Sequence, residues 1–358
     1  MSILSFKKSY ELPISRDYVR HWGMAEAVRE IVQNALDSDS PFEYELTEDR
    51  LLVRSRHSTL STSTLLLGQT SKATNTEKIG SFGEGYKIAL LVLTRLGYKV
   101  RVLNGDRVWT PTFRKSRQFD AEVLCIEDAA ADEKNEGVAF EVGGLSPGDV
   151  EAIREGCLTM QPNIGAVIET RYGRILRERP GKLHVGGLFV CETKLQFGYD
   201  VLPKFLRLER DRQTVSSFDL QLRTMEMWFD SGLNDEIAAL LSTGCRDLDY
   251  AEYGAPELVK EACYKLFQKK HPGAVIAKDQ DELEKLVKDG MTNVVFVGGA
   301  YGAAIREALS YQSSTVVRVL SPQQELEAWR AEHGHDLSEA AAESFDGLVA
   351  RAGNWRVK

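Results

Sequence analysis

The feature that most constrains this chain is a helical stripe with polar groups along its flank. Over residues 25–36 the apolar positions Ala25, Val28, Ile31, Val32, Ala35 and Leu36 recur at the helical period, so one face must be buried. Glu30, Asn34 and Asp37 border that face, and Glu30 and Asn34, four apart, project from the same side. Asn is a poor helix-interior residue, and an acid near the C-terminal end opposes the helix dipole. The plain readings are an exposed carboxylate for Glu30, a loop hydrogen bond for Asn34 and a helix-end charge for Asp37. The chemical reading is sharper: a Glu can activate a water, and an Asn carbonyl can ligate Mg²⁺.

A second stretch, Ile79-Gly80-Ser81-Phe82-Gly83-Glu84-Gly85-Tyr86-Lys87, runs into an apolar helix over Ile88, Ala89, Leu91, Val92 and Leu96, ended by Gly97. A glycine-rich turn opening a helix suits phosphate binding; its plain reading is a tight strand-to-helix turn. Residues 69–78 before it are polar with no strong structure former, as expected of a mobile loop that acts as a lid.

Composition bounds the alternatives. The chain has 358 residues, which predicts two or three domains. No apolar run approaches the roughly 20 residues of a membrane span, and residues 1–10 lack the apolar core of a secretion signal. The five cysteines lie far apart with no CxxC pair, which predicts reduced thiols, a cytoplasmic location and no zinc site. A net charge of −8 gives no global attraction to nucleic acid.

The pattern predicts an α+β N-terminal domain over 1–145, with strands at 42–53 around a polar turn, then at 98–103, 108–113, 121–126 and 138–142. Residues 143–148 form the predicted boundary. A second domain, 146–245, is expected to hold a helix at 149–155, strands near 166–170, 183–196 and 205–208, and a helix over 217–241. A small α/β domain, 246–358, is expected to alternate strands at 275–276, 293–297 and 315–320 with helices.

Glu-x-x-x-Asn-x-x-Asp, a polar loop, Gly-x-x-Gly-x-Gly-x-Lys and a buried helix, in that order, resemble the GHKL ATPase superfamily over residues 15–145. That group includes gyrase B subunits, ninety-kilodalton heat-shock chaperones, histidine kinases, MutL and MORC proteins. The resemblance implies a Bergerat-type α/β sandwich followed by a β-α-β transducer-like domain. It implies Mg²⁺-dependent binding and slow hydrolysis of ATP, with lid closure and domain or dimer rearrangement. Glu30 matches the general base and Asn34 the Mg²⁺ ligand, with Asp37 beside them. Gly80, Phe82, Gly83, Gly85 and Tyr86 match the loop that approaches the triphosphate, where a Cβ would block the backbone. Ser71 and Lys72 in the lid, and Lys87 in the first helical turn, are candidate phosphate contacts; otherwise Lys87 snorkels to solvent. Arg210 or Arg212 would reach the γ-phosphate from the second domain, or form an ion-pair cluster with Asp211. Related proteins dimerise through this domain, sometimes exchanging N-terminal segments, so residues 1–20 are a candidate exchange segment.

One family motif is missing. The Asp-x-Gly-x-Gly whose acid reads the adenine amino group is replaced by Arg54-Ser55-Arg56-His57-Ser58-Thr59-Leu60, where a Ser hydroxyl discriminates bases less sharply. Val138 stands where a base-contacting Thr would fall. Two further readings arise: a non-hydrolysing nucleotide sensor or scaffold, and a DNA-transaction or defence-related protein using the Arg54–His57 cluster, with a protein or DNA client.

Overall fold

A computed structural model of the chain describes residues 8–37, 41–57, 59–66, 85–208, 215–313 and 322–352. It is α+β with mainly antiparallel sheets, the expected class. Among these residues, contacts divide the chain into two compact units, Met1–Asp219 and Leu220–Lys358.

In the first unit, α1 (Met24–Leu36) buries Met24, Ala27, Val28, Ile31, Val32 and Ala35, the predicted stripe. Its first turn is closed by the Gly23 amide, which donates to Glu26 Oε2 at 2.9 Å. The second helix, α2 (Gly85–Arg95), is buried at every residue from Gly85 to Leu93, as a helix apolar on all sides must be. It ends where predicted. Gly97 has φ +88°, the Tyr98 amide donates to Leu93 O (3.0 Å) and the Gly97 amide to Thr94 O (3.1 Å), a glycine C-cap in left-handed geometry.

The strands are β1 (Lys8–Ser15), β2 (Glu43–Leu46), β3 (Arg50–Ser55), β4 (Lys99–Asn104), β5 (Arg107–Lys115), β6 (Glu122–Ala130) and β7 (Val138–Gly143). They form one antiparallel sheet in the order β1-β6-β5-β4-β7-β3-β2. Register puts Val53 opposite Phe140 and Ser55 opposite Val138, with Val102 on the other side of Phe140. Leu51, Val53, Ser55, Val100, Val102, Asn104, Val138, Phe140 and Val142 are accordingly buried, on the face where α1 meets β3 and α2 meets β4 and β5. The intervening residues Lys99 and Arg101 are exposed. β1 was not legible as a strand. It pairs with β6 of the same chain, so residues 8–15 of the candidate exchange segment are an edge strand here.

The predicted boundary at 143–148 is a capped helix start inside the unit. Ser146 and Asp149 exchange hydrogen bonds (Ser146 N to Oδ2 2.8 Å, Asp149 N to Oγ 3.2 Å) at the head of α3 (Pro147–Gly156), a capping box. Val150, Ile153, Cys157, Met160 and Leu188 join the same core as α1 and α2, which is why contacts continue past residue 145.

A second sheet holds β8 (Val167–Thr170), β9 (Gly173–Leu176), β10 (Lys182–Val185), β11 (Leu188–Glu192) and β12 (Gly198–Val201), in the order β11-β10-β12-β9-β8. Three expectations change here. The strand over 183–196 is broken at Gly186 and Gly187, both at positive φ (59° and 82°). Residues 205–208 form no strand, since Pro203–Phe205 is a 3₁₀ turn. The parallel pair β10 and β12 is joined through β11 and not by a helix, unlike the β-α-β arrangement expected there.

The second unit contains α4 (Ser217–Asp230), α5 (Asn234–Ser242), α6 (Glu257–Lys270), α7 (Gln280–Lys288), α8 (Gly299–Glu307), α9 (Leu309–Ser313), α10 (Pro322–His333) and α11 (Glu339–Ala352). The helix expected over 217–241 is two, separated at Gly232 with φ +69°. Thr224 Oγ1 of α4 donates to Asp247 O (3.0 Å), which ties α4 to the 3₁₀ segment Arg246–Tyr253. As expected, β13 (Val275–Ala277) and β14 (Val294–Phe296) pair in parallel around α7. The third expected strand, 315–320, lies outside the described residues.

Candidate functional site

α1 places Glu30 fully inside the protein, with no side-chain exposure, while Asn34 one turn later is partly exposed and Asp37 is buried as the C-cap. The exposed-carboxylate reading of Glu30 is therefore overturned. A buried carboxylate needs compensation: Arg29 Nη2, on a side chain 10% exposed, stands 3.8 Å from Glu30 Oε1. Asn34 Nδ2 donates to Glu30 O at 2.8 Å. A carbonyl can only accept, so this contact fixes which amide atom is nitrogen and turns Oδ1 the other way. Asn34 thus bonds back to its own helix through its amide nitrogen, and its amide oxygen is of the hard type that Mg²⁺ prefers.

Of the glycine-rich stretch, Gly85, Tyr86 and Lys87 are described, all buried in the first turn of α2. α2 packs against α1, so the helix of the first motif and the helix into which the glycine-rich stretch runs are neighbours over one sheet. Ser71, Lys72, Gly80, Phe82, Gly83, Arg210 and Arg212 lie outside the described residues.

Lys87 departs from the snorkelling reading. It has no exposure, so it does not snorkel. Its ammonium donates to Thr64 O (2.9 Å) and Leu66 O (2.5 Å). Tyr86 assists: its hydroxyl donates to Thr64 O and lies beside Thr64 Oγ1, both at 2.9 Å. Burial pushes the Tyr86 phenol up to about 12, so it remains a protonated donor at neutral pH. Asn104 holds the same arm further back, accepting from the Leu60 amide and donating to the Leu60 carbonyl, each at 2.8 Å.

At the position of the missing adenine-reading acid, Ser55 is buried at the end of β3, paired with Val138 of β7. Gly137, φ +74°, sits so close that a Cβ there would lie 2.1 Å from Ser55 O. Within the Arg54–His57 cluster, Arg56 pairs with Glu43 (2.7 Å) and Glu136 (3.1 Å). No group of three or more His, Cys, Asp or Glu side chains could hold a metal among the described residues.

The sequence reading missed a polar row across the second sheet. Register sets Glu169, Arg174, Asp200, His184 and Phe189 side by side on β8, β9, β12, β10 and β11. Arg174 donates to Asp200 Oδ2 from Nη2 (2.6 Å) and Nε (3.1 Å), and the Gly187 amide donates to Oδ1 (2.7 Å). Burial pushes His184 down to about 4, aided by the cations Arg179, Lys182 and Arg174 and opposed by the Tyr199 backbone. Only the pairing of strands reveals this row, because its members are scattered in sequence.

No family model matches the chain. A Mycoplasma pneumoniae protein described only as uncharacterized is 22% identical over 213 residues, spanning 54% of this chain and 86% of the relative. No described helix is long and apolar enough to cross a membrane.

Proposed function

We propose that the chain is a GHKL-type nucleotide-binding protein that hydrolyses ATP slowly with Mg²⁺. The observation that carries this reading is Glu30: a fully buried carboxylate one helical turn before an Asn whose amide nitrogen is taken by the helix backbone. Placement of α1 beside α2 over one antiparallel sheet supports it, as does the glycine-rich sequence leading into α2. Mg²⁺, held at Asn34 Oδ1, would neutralise phosphate charge. Glu30 would orient a water and take its proton as the water oxygen bonds the terminal phosphorus and the bond to the ADP oxygen breaks. Arg29 would hold the Glu30 carboxylate in place.

A non-hydrolysing sensor is the second reading, and the Ser55–Val138 pair favours it, since neither side chain supplies the carboxylate that would select adenine. A DNA-handling role loses its sequence support where Arg56 is neutralised by Glu43 and Glu136. Titration calorimetry with ATP, ADP and GTP, with and without Mg²⁺, tests the proposal. ATP should bind more tightly with Mg²⁺, and Asn34→Ala should remove that gain, about tenfold or more. Absence of heat with every nucleotide would reject both nucleotide readings.

A further inference from the structure

We propose that Lys87 is a positioning residue, a buried clamp that fixes residues 60–66 against the first turn of α2, and not a ligand of the bound phosphates. The inference deepens the nucleotide-site reading and rests on it for its kinetic part.

The chemistry of the residue demands an explanation. A lysine ammonium is strongly hydrated and is rarely buried without partners. Lys87 has no exposure, and its ammonium points at two backbone carbonyls of one short turn, Thr64 O in its last part and Leu66 O at its C-cap. Thr62–Leu65 is a 3₁₀ turn, and the Leu66 amide closes it onto Ser63 O (3.1 Å). Carbonyls at the end of such a turn lack partners within it, and a cation is the strongest donor for them. Tyr86 adds its hydroxyl to Thr64, Leu65 is buried in the core, and Asn104 grips Leu60. The arm is thus held at its start by an amide and at its end by an ammonium. A leucine at 87 would suit the apolar surroundings of α2 better, so the charge is used for those carbonyls.

Backbone hydrogen exchange in the nucleotide-free protein separates the clamp from a phosphate ligand. Lys87→Met should speed exchange at the Thr64 and Leu66 amides by at least ~10-fold, with the amides of α1 unchanged. Lys87→Arg, which keeps a buried cation, should restore most of the protection. Lys87→Gln, whose amide stops one bond short of the ammonium position, is the second variant should Lys87→Met fail to fold, and should shift the same amides in the same direction. In ATP turnover, the methionine variant should raise KM more than it lowers kcat. Unchanged exchange at Thr64 and Leu66 in a folded variant would overturn the clamp, as would a kcat loss that Lys87→Arg does not rescue. Should the wild-type chain bind no nucleotide, the functional reading fails while the exchange result still decides the clamp.

Discussion

At the scale of single residues, burial decides what the charged groups of this chain can do. Lys87 and Glu30 both lie on helices rich in apolar residues, and neither reaches solvent. His184 is the clearest case for measurement. Its pKa falls from 6.5 to about 4 on folding, because burial disfavours the imidazolium and Arg179, Lys182 and Arg174 repel it. Below pH 6.5 the unfolded chain takes up a proton that the folded chain refuses. Stability is therefore lost as pH falls from 6.5 towards 4, by ~3 kcal/mol in total, and is insensitive to this group above 6.5. Urea midpoints at pH 7 and pH 4.5 for wild type and His184→Gln check this: the wild type should lose more. Equal losses would show that His184 is not the group responsible. Gly137 offers a second test. Its φ of +74° and the 2.1 Å approach of a Cβ to Ser55 O predict that Gly137→Ala destabilises by about 2–4 kcal/mol, read from the same denaturation curves.

At the scale of elements, α2 holds backbone at both ends. Lys87 takes the carbonyls of Thr64 and Leu66, while Arg95 takes those of Arg16 (3.2 Å), Tyr18 (2.9 Å), Val19 (3.2 Å) and Trp22 (3.2 Å). Val19 in that turn has φ +46°, a strained position for a β-branched residue. Arg95→Ala should therefore loosen residues 16–22 and lower stability by about 1–3 kcal/mol, seen as faster proteolysis near Arg16 and Arg20. Much of this was legible in advance. The helical period marked α1 and α2, Gly97 marked the end of α2, and alternation marked β4 to β7. The partners of side chains were not legible. Nothing local says that Lys87 meets carbonyls more than twenty residues upstream, or that His184 lies beside Asp200. Short strands also hid: Gly173–Leu176 and Gly198–Val201 are four residues each, too brief for a period to register.

At the scale of the whole molecule, the chain gathers into two compact units, Met1–Asp219 and Leu220–Lys358. The glycine-rich stretch at 143–148 falls inside the first unit, where its turn residues mark a break in an element. Val150, Ile153, Cys157, Met160 and Leu188 complete the core that α1 and α2 begin. A fragment of residues 1–145 should therefore expose apolar surface and melt without cooperativity, whereas residues 1–219 should unfold in one sharp transition. Calorimetric scans of the two fragments check this.

The central claim is that a buried Glu30 activates water beside an Mg²⁺-ready Asn34. The most direct measurement is ATP turnover and binding by wild type and Glu30→Gln with Mg²⁺. The glutamine variant should bind ATP about as well as wild type and hydrolyse it ~10²–10⁴-fold more slowly. Equal turnover by Glu30→Gln would contradict the account.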